Sequence, residues 1–342
     1  MKAIIATEQG NPDVLQLTDL PMPEPAAGQV RIKVIATSLN PIDTKVRKAK
    51  LPMTPASFPA VLQTDFSGIV DMAGPGVTRF KVGDEVFGFS GGFRGPNGDI
   101  PGALSEYALA DVALIARKPK NVDFRHAAAL PLVATTAWKA LFDKVSIRPT
   151  SKVLVTGGAG GVGYMAVQLA KIAGATVFAT TRSKESTELA LAAGANTCID
   201  LSQTSPQAVI DQYTGGQGFD VIFDTVGGET LDAAFKMIRP SGDVVTVVGA
   251  ANHGLAPLYL KGANLHMVLV LTPIMFGVGK EQQGEILEKI AELTEAGKLK
   301  SRLDPQVFEL AQAAEAHRKY ESGEAKGKIV IDVAPASGSP SQ

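Results

Sequence analysis

The sequence predicts a two-domain α/β protein, an antiparallel β domain joined to a doubly wound parallel sheet. Three observations carry this. Short apolar runs alternating with polar residues fill the first part of the chain. A glycine-rich turn near residue 158 sits between an apolar strand and an apolar-periodic helix. After it, strand-like and helix-like runs alternate to about residue 271. With 342 residues, 45% of them hydrophobic, the chain can bury two cores.

The runs "KAIIAT", "QVRIKVIATSL", "FSGIVDMAG", "GDEVFGF" and "LSEYALA" mix Val and Ile with polar residues between Gly and Pro punctuation, and read as antiparallel strands. From Val122 the texture changes, and "DFRHAAALPLVATTAWKALFD" is helical in composition. The runs "SKVLVTGG", "ATVFATT", "NTCID", "FDVIFDTVGG" and "GDVVTVVGA" lack polar alternation, as strands covered on both faces must. Helical patterns such as "YMAVQLAKIAGA" and "KESTELALAAGA" separate them. "NLHMVLVLTPI" reads as a sixth and last strand of that sheet. Two further helices, "QQGEILEKIAELTEAGK" and "PQVFELAQAAEAHRKYESG", precede a closing strand, "GKIVIDV". The small, polar end "APASGSPSQ" reads as a frayed tail. The expected division is 1–123 with 272–342 for the β-rich catalytic domain and 124–271 for the parallel-sheet domain.

Composition narrows the function. Lys+Arg 33 against Asp+Glu 34 leaves a net charge of -1, so no basic field points to nucleic acid. The single cysteine, Cys198, allows neither an intrachain disulfide nor a multi-cysteine zinc site. No apolar stretch is long enough for a signal peptide or a membrane span, and a cytoplasmic enzyme is expected.

The segment "VLVTGGAGGVGYMAVQLAKIAGA" carries Gly158-x-Gly160-x-x-Gly163 between strand and helix. Small residues let the backbone approach a pyrophosphate, and the helix start offers free N–H groups and a positive dipole end. This is the Rossmann fingerprint of a dinucleotide site. About twenty residues on, an NAD-binding chain carries an acid for the ribose 2'-hydroxyl. Here "FATTRSKES" places Thr181, Arg182, Ser183 and Lys184 there instead. A cationic, hydroxyl-rich corner suits a 2'-phosphate through charge-assisted bonds, so the expected cofactor is NADP(H).

Together these segments resemble the medium-chain dehydrogenase/reductase superfamily, and within it the zinc-independent NADPH:quinone oxidoreductase-like branch. The resemblance is carried by "SLNPIDTKVRKA", "GIVDMAGPGVTRFKVGDEVFGF", "GALSEYALA", "AAALPLVATTAWKAL", "VTGGAGGVGYMAVQLAK", "DVIFDTVGG" and "GKIVIDV", which cover nearly the whole chain. It implies that the first domain is GroES-like. Zinc-dependent relatives carry a Cys in the segment matching Asn40–Asp43 and a Gly-His-Glu triplet matching Gln63-Thr64-Asp65. This chain has neither Cys nor His there, and its four histidines lack ligand spacing. Where relatives hold a structural-zinc lobe, this chain has "SGGFRGPNGDIPGA", a loop readable as a flap or as a surface excursion.

Without a Lewis acid to polarise an alcohol, the reaction implied is hydride transfer to an electron-poor acceptor. That acceptor is a quinone or, as an alternative, an enone or enoyl thioester reduced at its carbon–carbon double bond. A second alternative is a non-catalytic NADPH-binding redox sensor or structural protein. The resemblance directs Asn40, Asp43, Lys45, Thr64 and Asp65 toward the nicotinamide. Of these, Asn40, Lys45 and Thr64 are the candidates for orienting the acceptor, and Asp65 is expected to tie down its loop. The Asn40-Pro41 pair is equally a turn signal. A Tyr found in many quinone reductases at the place of Lys45, and a Tyr of enoyl-thioester reductases near Leu51, are both missing, which leaves the proton source open. The resemblance adds cofactor contacts at Thr136, at Ala159, Gly160, Gly161 and Val162 in the phosphate turn, and at Thr225 and Val226. It further adds Val248, Gly249 and Ala250 after the fifth strand. His253, just beyond, reads as a substrate neighbour or, more simply, as a solvated loop residue. In relatives the last strand of the parallel sheet pairs with its twin, so a homodimer is expected.

Overall fold

The structure, a computed structural model, describes residues 1–249 and 252–334. Two compact units emerge, Met1–Leu132 with Leu271–Gln342, and Val133–Val270.

The first unit is built on the strand Gln29–Ser38, whose alternate residues Val30, Ile32 and Val34 are fully buried. It pairs antiparallel with Asp65–Ala73, Tyr107–Asp111 and Val330–Asp332. Glu85–Phe89 and Ile115–Arg117 extend the sheet on one side. At the other edge Phe308–Glu309 joins Val330–Asp332 in parallel, so this mostly antiparallel sheet ends in a parallel pair. Phe66, Val70, Phe80 and Val86 complete the core. The short helix Phe124–Ala128 belongs to this unit. Ala128 and Ala129 pack with Ala36 and Val330, and the Ser67 hydroxyl donates to the Phe124 carbonyl. The division therefore falls after Leu132 rather than after residue 123. Pro131 splits the helical run by opening a new helix, Pro131–Trp138.

The glycine-rich loop after Phe89 is a hairpin, Phe93–Gly95 with Gly98–Ile100, and Phe93 is fully buried. Its stem is zipped to residues 61–64. Ser90 N–H donates to the Thr64 carbonyl at 2.9 Å, Gly102 to Val61 at 2.8 Å and Ala103 to Gln63 at 2.7 Å. A Cβ on Gly102 would lie 2.1 Å from the Leu62 carbonyl oxygen, and one on Gly92 2.8 Å from the Gln63 nitrogen. The stem is pinned to the neighbouring backbone and is no free flap.

The second unit holds a six-stranded, wholly parallel sheet. Its order is Thr197–Ile199, Thr176–Thr180, Lys152–Val155, Phe219–Asp224, Ile238–Thr246, Asn264–Met267. Chain order reverses between the strands Lys152–Val155 and Phe219–Asp224, the switch point of a doubly wound sheet. Leu154, Phe178, Ile222, Phe235 and Val244 form one core cluster. The sixth strand is shorter than its sequence run. Only Asn264–Met267 pairs, and Pro273 stands in the first turn of a helix, Thr272–Phe276, assigned to the other unit. Short helices at Pro41–Lys48, Pro206–Thr214 and Ala256–Lys261, each with a proline at its first or second position, were not anticipated from the sequence. No helix among the described residues is long and apolar enough to cross a membrane.

Candidate active site

At the carboxyl ends of the parallel strands a buried aspartate fixes the geometry. Asp224 accepts from the Thr156 hydroxyl at 2.8 Å, the Thr246 hydroxyl at 3.1 Å and Gly227 N–H at 2.9 Å, tying three strand ends together. The turn after Lys152–Val155 is close-packed. Gly157 has φ +64°, and a Cβ on Gly163 would lie 2.1 Å from the Gly157 carbonyl oxygen. Gly158 faces Ala179, whose methyl would be 2.6 Å from an added Cβ. These contacts bring the helix Gly161–Ile172 against the strands with its N-terminus opening on a cavity of about 700 Å³.

Gly157, Ala159 and Gly160 line one side of that cavity, Thr181, Arg182 and Ser183 another, and Thr225 and Val226 a third. The structure thus brings together seven of the expected contacts, Ala159, Gly160, Thr181, Arg182, Ser183, Thr225 and Val226. Arg182 is exposed and makes no ion pair among the described residues. Ser183 caps the helix Lys184–Ala192 through Ser186 N–H at 3.2 Å. The Thr225 hydroxyl donates to the Thr156 carbonyl at 2.7 Å, which leaves it lone pairs to offer a ligand.

Other expected residues lie off this cavity. Gly161 and Val162 are the first helical residues behind the turn. Lys184 points away, its ammonium 3.9 Å from Glu188 one helical turn on. Val248 covers Gly227, with its methyl 2.6 Å from a Cβ placed there, and Gly249 follows it. Thr136 is buried with its hydroxyl unpartnered. Ala250 lies outside the described residues. His253 is no solvated loop residue. Its side chain is largely buried, with Nδ1 2.8 Å from Asp232 and the ring edge-on to Phe235.

The β-rich unit carries a second polar cluster, in its core. Asn40 is fully buried, and its Nδ2 donates to Asp65 Oδ2 at 2.9 Å. Lys328 Nζ donates to Asn40 Oδ1, and to the Leu39 carbonyl at 2.8 Å, while lying 3.8 Å from Asp65 Oδ2. Asp65 Oδ1 accepts from Leu132 N–H at 3.1 Å, so this carboxylate does tie down backbone. Asp43 accepts from Asn40 N–H at 2.7 Å, and its other oxygen is buried without a partner. Burial raises the Asp43 carboxyl to about 7 and Asp65 to about 6, and it lowers Lys328. Thr64 is buried beside the cluster in sequence, its hydroxyl unpartnered. Lys45, by contrast, is exposed.

Sequence reading missed three residues. Lys328 looked like an ordinary polar start to an apolar strand, although a lone cation in "GKIVIDV" was the available signal. Gln63 sits at φ +74°, and both polar atoms of its buried side chain lack partners, which no sequence pattern announces. Asp200 follows the third parallel strand and lines the cavity with Arg182.

Two family models match: the alcohol dehydrogenase GroES-like domain over residues 26–120 and the zinc-binding dehydrogenase family over residues 193–331. The chain is 35% identical over 336 residues to an NADPH-dependent alkenal/one oxidoreductase of Arabidopsis thaliana, covering 97% of this chain and 79% of that protein. It is 31% identical to the quinone oxidoreductase of Rattus norvegicus, covering 97% of each. An alcohol dehydrogenase superfamily structure from Novosphingobium aromaticivorans superposes with a TM-score of 0.91 at 37% identity, over 98% of this chain and 100% of that one. A mycobacterial protein solved with NADPH gives 0.84 at 27% identity, over 97% and 100%. The parallel sheet with its glycine turn, joined in one chain to a GroES-like domain, defines a two-domain dinucleotide-dependent oxidoreductase. This chain belongs to the medium-chain dehydrogenase/reductase superfamily, among its quinone oxidoreductase-like members.

The residues present fit NADP(H), its cofactor. The glycine turn leaves room that a Cβ would fill, a helix start faces it, and the Arg182 guanidinium, without an ion pair among the described residues, lines the same cavity. They do not fit zinc. Among the described residues no three His, Cys, Asp or Glu gather as a metal site. His126, His253 and His266 each hydrogen-bond an aspartate, and His317 sits against Arg47.

Proposed function

We propose that this protein reduces quinones and α,β-unsaturated carbonyl compounds, with the activated alkene as the preferred class. NADPH, when bound, supplies the hydride. The observation that carries the reading is the open cleft with its unpaired Arg182, on a chain whose matching positions lack zinc ligands. The preference for alkenes is supported by the 35% and 36% identity to an alkenal/one oxidoreductase and to a 2-methylene-furan-3-one reductase.

In this reading the chain's own residues bind and orient. Gly157, Ala159 and Gly160 receive the pyrophosphate, and Arg182 with Ser183 receives the 2'-phosphate. Lys328 and Asp65 grip Asn40 from both ends of its amide, so this fully buried residue is read as positioning the segment that carries it rather than as touching the acceptor. Thr64 supplies a neighbouring hydroxyl. Lys45, being exposed, is assigned a surface position. The pairing of two edge strands Asn264–Met267 into a homodimer is part of the proposal, supported by the exposed Met267 and Leu269 at that edge. So is a cytoplasmic setting, in keeping with the single free thiol of Cys198. Following NADPH absorbance against 2-alkenals, enones, simple quinones and enoyl thioesters tests the function. Turnover of enals and enones is expected. Tight NADPH binding with no oxidation across the set would replace the reading with a non-catalytic sensor or structural role.

A further inference from the structure

The corner that lacks the expected acid after the second parallel strand has one after the third. Strands Thr176–Thr180 and Thr197–Ile199 are neighbours in register, with Thr180 opposite Ile199. The residues that follow each therefore emerge side by side, Arg182 from one and Asp200 from the other, into the same cavity. Asp200 is held in place by its own turn, since Oδ1 accepts from Ser202 N–H at 2.9 Å and from the Ser202 hydroxyl at 2.7 Å. Its carboxyl is held below the ordinary range, first by those Ser202 bonds and also by the charge of Arg182. The two side chains are thus within each other's field, yet no hydrogen bond between them is formed.

We propose that Asp200 is a specificity-determining residue for the adenosine end of the cofactor, opposing Arg182 and limiting how strongly a 2'-phosphate is preferred. The inference rests on the reading of this cleft as the NADPH site and deepens it. A 2'-phosphate is close to a dianion, attracted by the guanidinium and repelled by a carboxylate in the same open cavity. A bare 2'-hydroxyl feels little of either field and can donate to a carboxylate. Arg182 alone makes the corner selective for NADPH, and Asp200 beside it keeps NADH usable. Glu229 also lines the cavity, but it stands with Thr225 and Val226 after the fourth strand, on the other side of the turn.

Asp200→Asn removes the charge and keeps the oxygen that accepts from Ser202, so the turn is preserved while the field changes. Binding of 2',5'-ADP and of 5'-ADP by calorimetry reads the effect without turnover. In Asp200→Asn, 2',5'-ADP is expected to bind roughly three- to ten-fold more tightly, and 5'-ADP equally well or slightly worse. The gain should shrink in 0.5 M salt, taken as a strongly screening condition of about 4 Å Debye length. An unchanged ratio of the two affinities, or equal tightening of both, overturns the proposal. Arg182→Gln run alongside separates the two levels. If it leaves the ratio untouched, the cleft is not where the 2'-phosphate sits. If it lowers the ratio while Asp200→Asn is silent, only the role of Asp200 falls.

Discussion

In the β-rich unit the cation Lys328 is buried and taken up by the Leu39 carbonyl, Asn40 and Asp65, whereas in the nucleotide unit Arg182 is exposed and makes no ion pair among the described residues. Each cation has carboxylates for neighbours. In the core, desolvation makes an unsatisfied charge costly, so every charge there is spent on holding another group, Asn40 above all. In the cleft water screens Arg182, so it can stand uncommitted until a phosphate arrives. On the proposed reading, the first arrangement holds groups in place and the second waits for a ligand.

The contrast breaks most visibly if Lys328 is removed. Lys328→Met leaves Asp43 and Asp65 buried with no counter-charge, and a loss of about 3–5 kcal/mol of folding stability is expected in chemical denaturation. Lys328→Met combined with Asp65→Asn should recover part of that loss. Arg182→Asp comes next. Stability should hold, because the group lost is exposed and forms no ion pair among the described residues, while kcat/KM for NADPH falls about ten- to hundred-fold and that for NADH does not. An unchanged NADPH/NADH ratio would remove Arg182 from the cofactor site.

The pH response sharpens the comparison further. Asp43 is raised from 3.8 to about 7 and Asp65 to about 6, burial being the main cause in both. Below the ordinary value both folded and unfolded chains hold these protons. As pH rises toward 7 the unfolded chain releases them while the folded chain retains them, so these carboxyls lower stability across that window. Asp43→Asn should flatten the decline measured between about pH 4 and 7, whereas Arg182 variants should leave its slope alone. The smallest effect is expected from Gln63→Gly. Relieving a left-handed φ of +74° and two unpartnered amide atoms should stabilise the fold by about 1 kcal/mol. A lower melting temperature would show that the Gln63 side chain is held by contacts that matter.

What the sequence disclosed followed from periodicity and local chemistry. Unalternating apolar runs marked the parallel strands, and Gly158-x-Gly160-x-x-Gly163 marked the turn. Arg182 was legible because its spacing from that turn is set by one helix and one strand. The boundary at Leu132 was not legible, since Pro131 breaks a run whose composition is helical throughout. The sixth strand was read too long because "VLVL" suits a strand as well as the approach to a helix. Lys328 and Asp200 act through partners far away in sequence, Asn40 in one case and Arg182 in the other. Their meaning exists only once strands lie side by side.

The glycine stem at Gly92 and Gly102 has a consequence for anyone redesigning this enzyme. Because each of those residues lies flat against the chain at Leu62 and Gln63, the hairpin and the 61–64 segment are a single heritable cassette. Swapping the hairpin alone for a relative's sequence would set foreign side chains against a backbone with no room for them. Grafts should carry both stretches or neither.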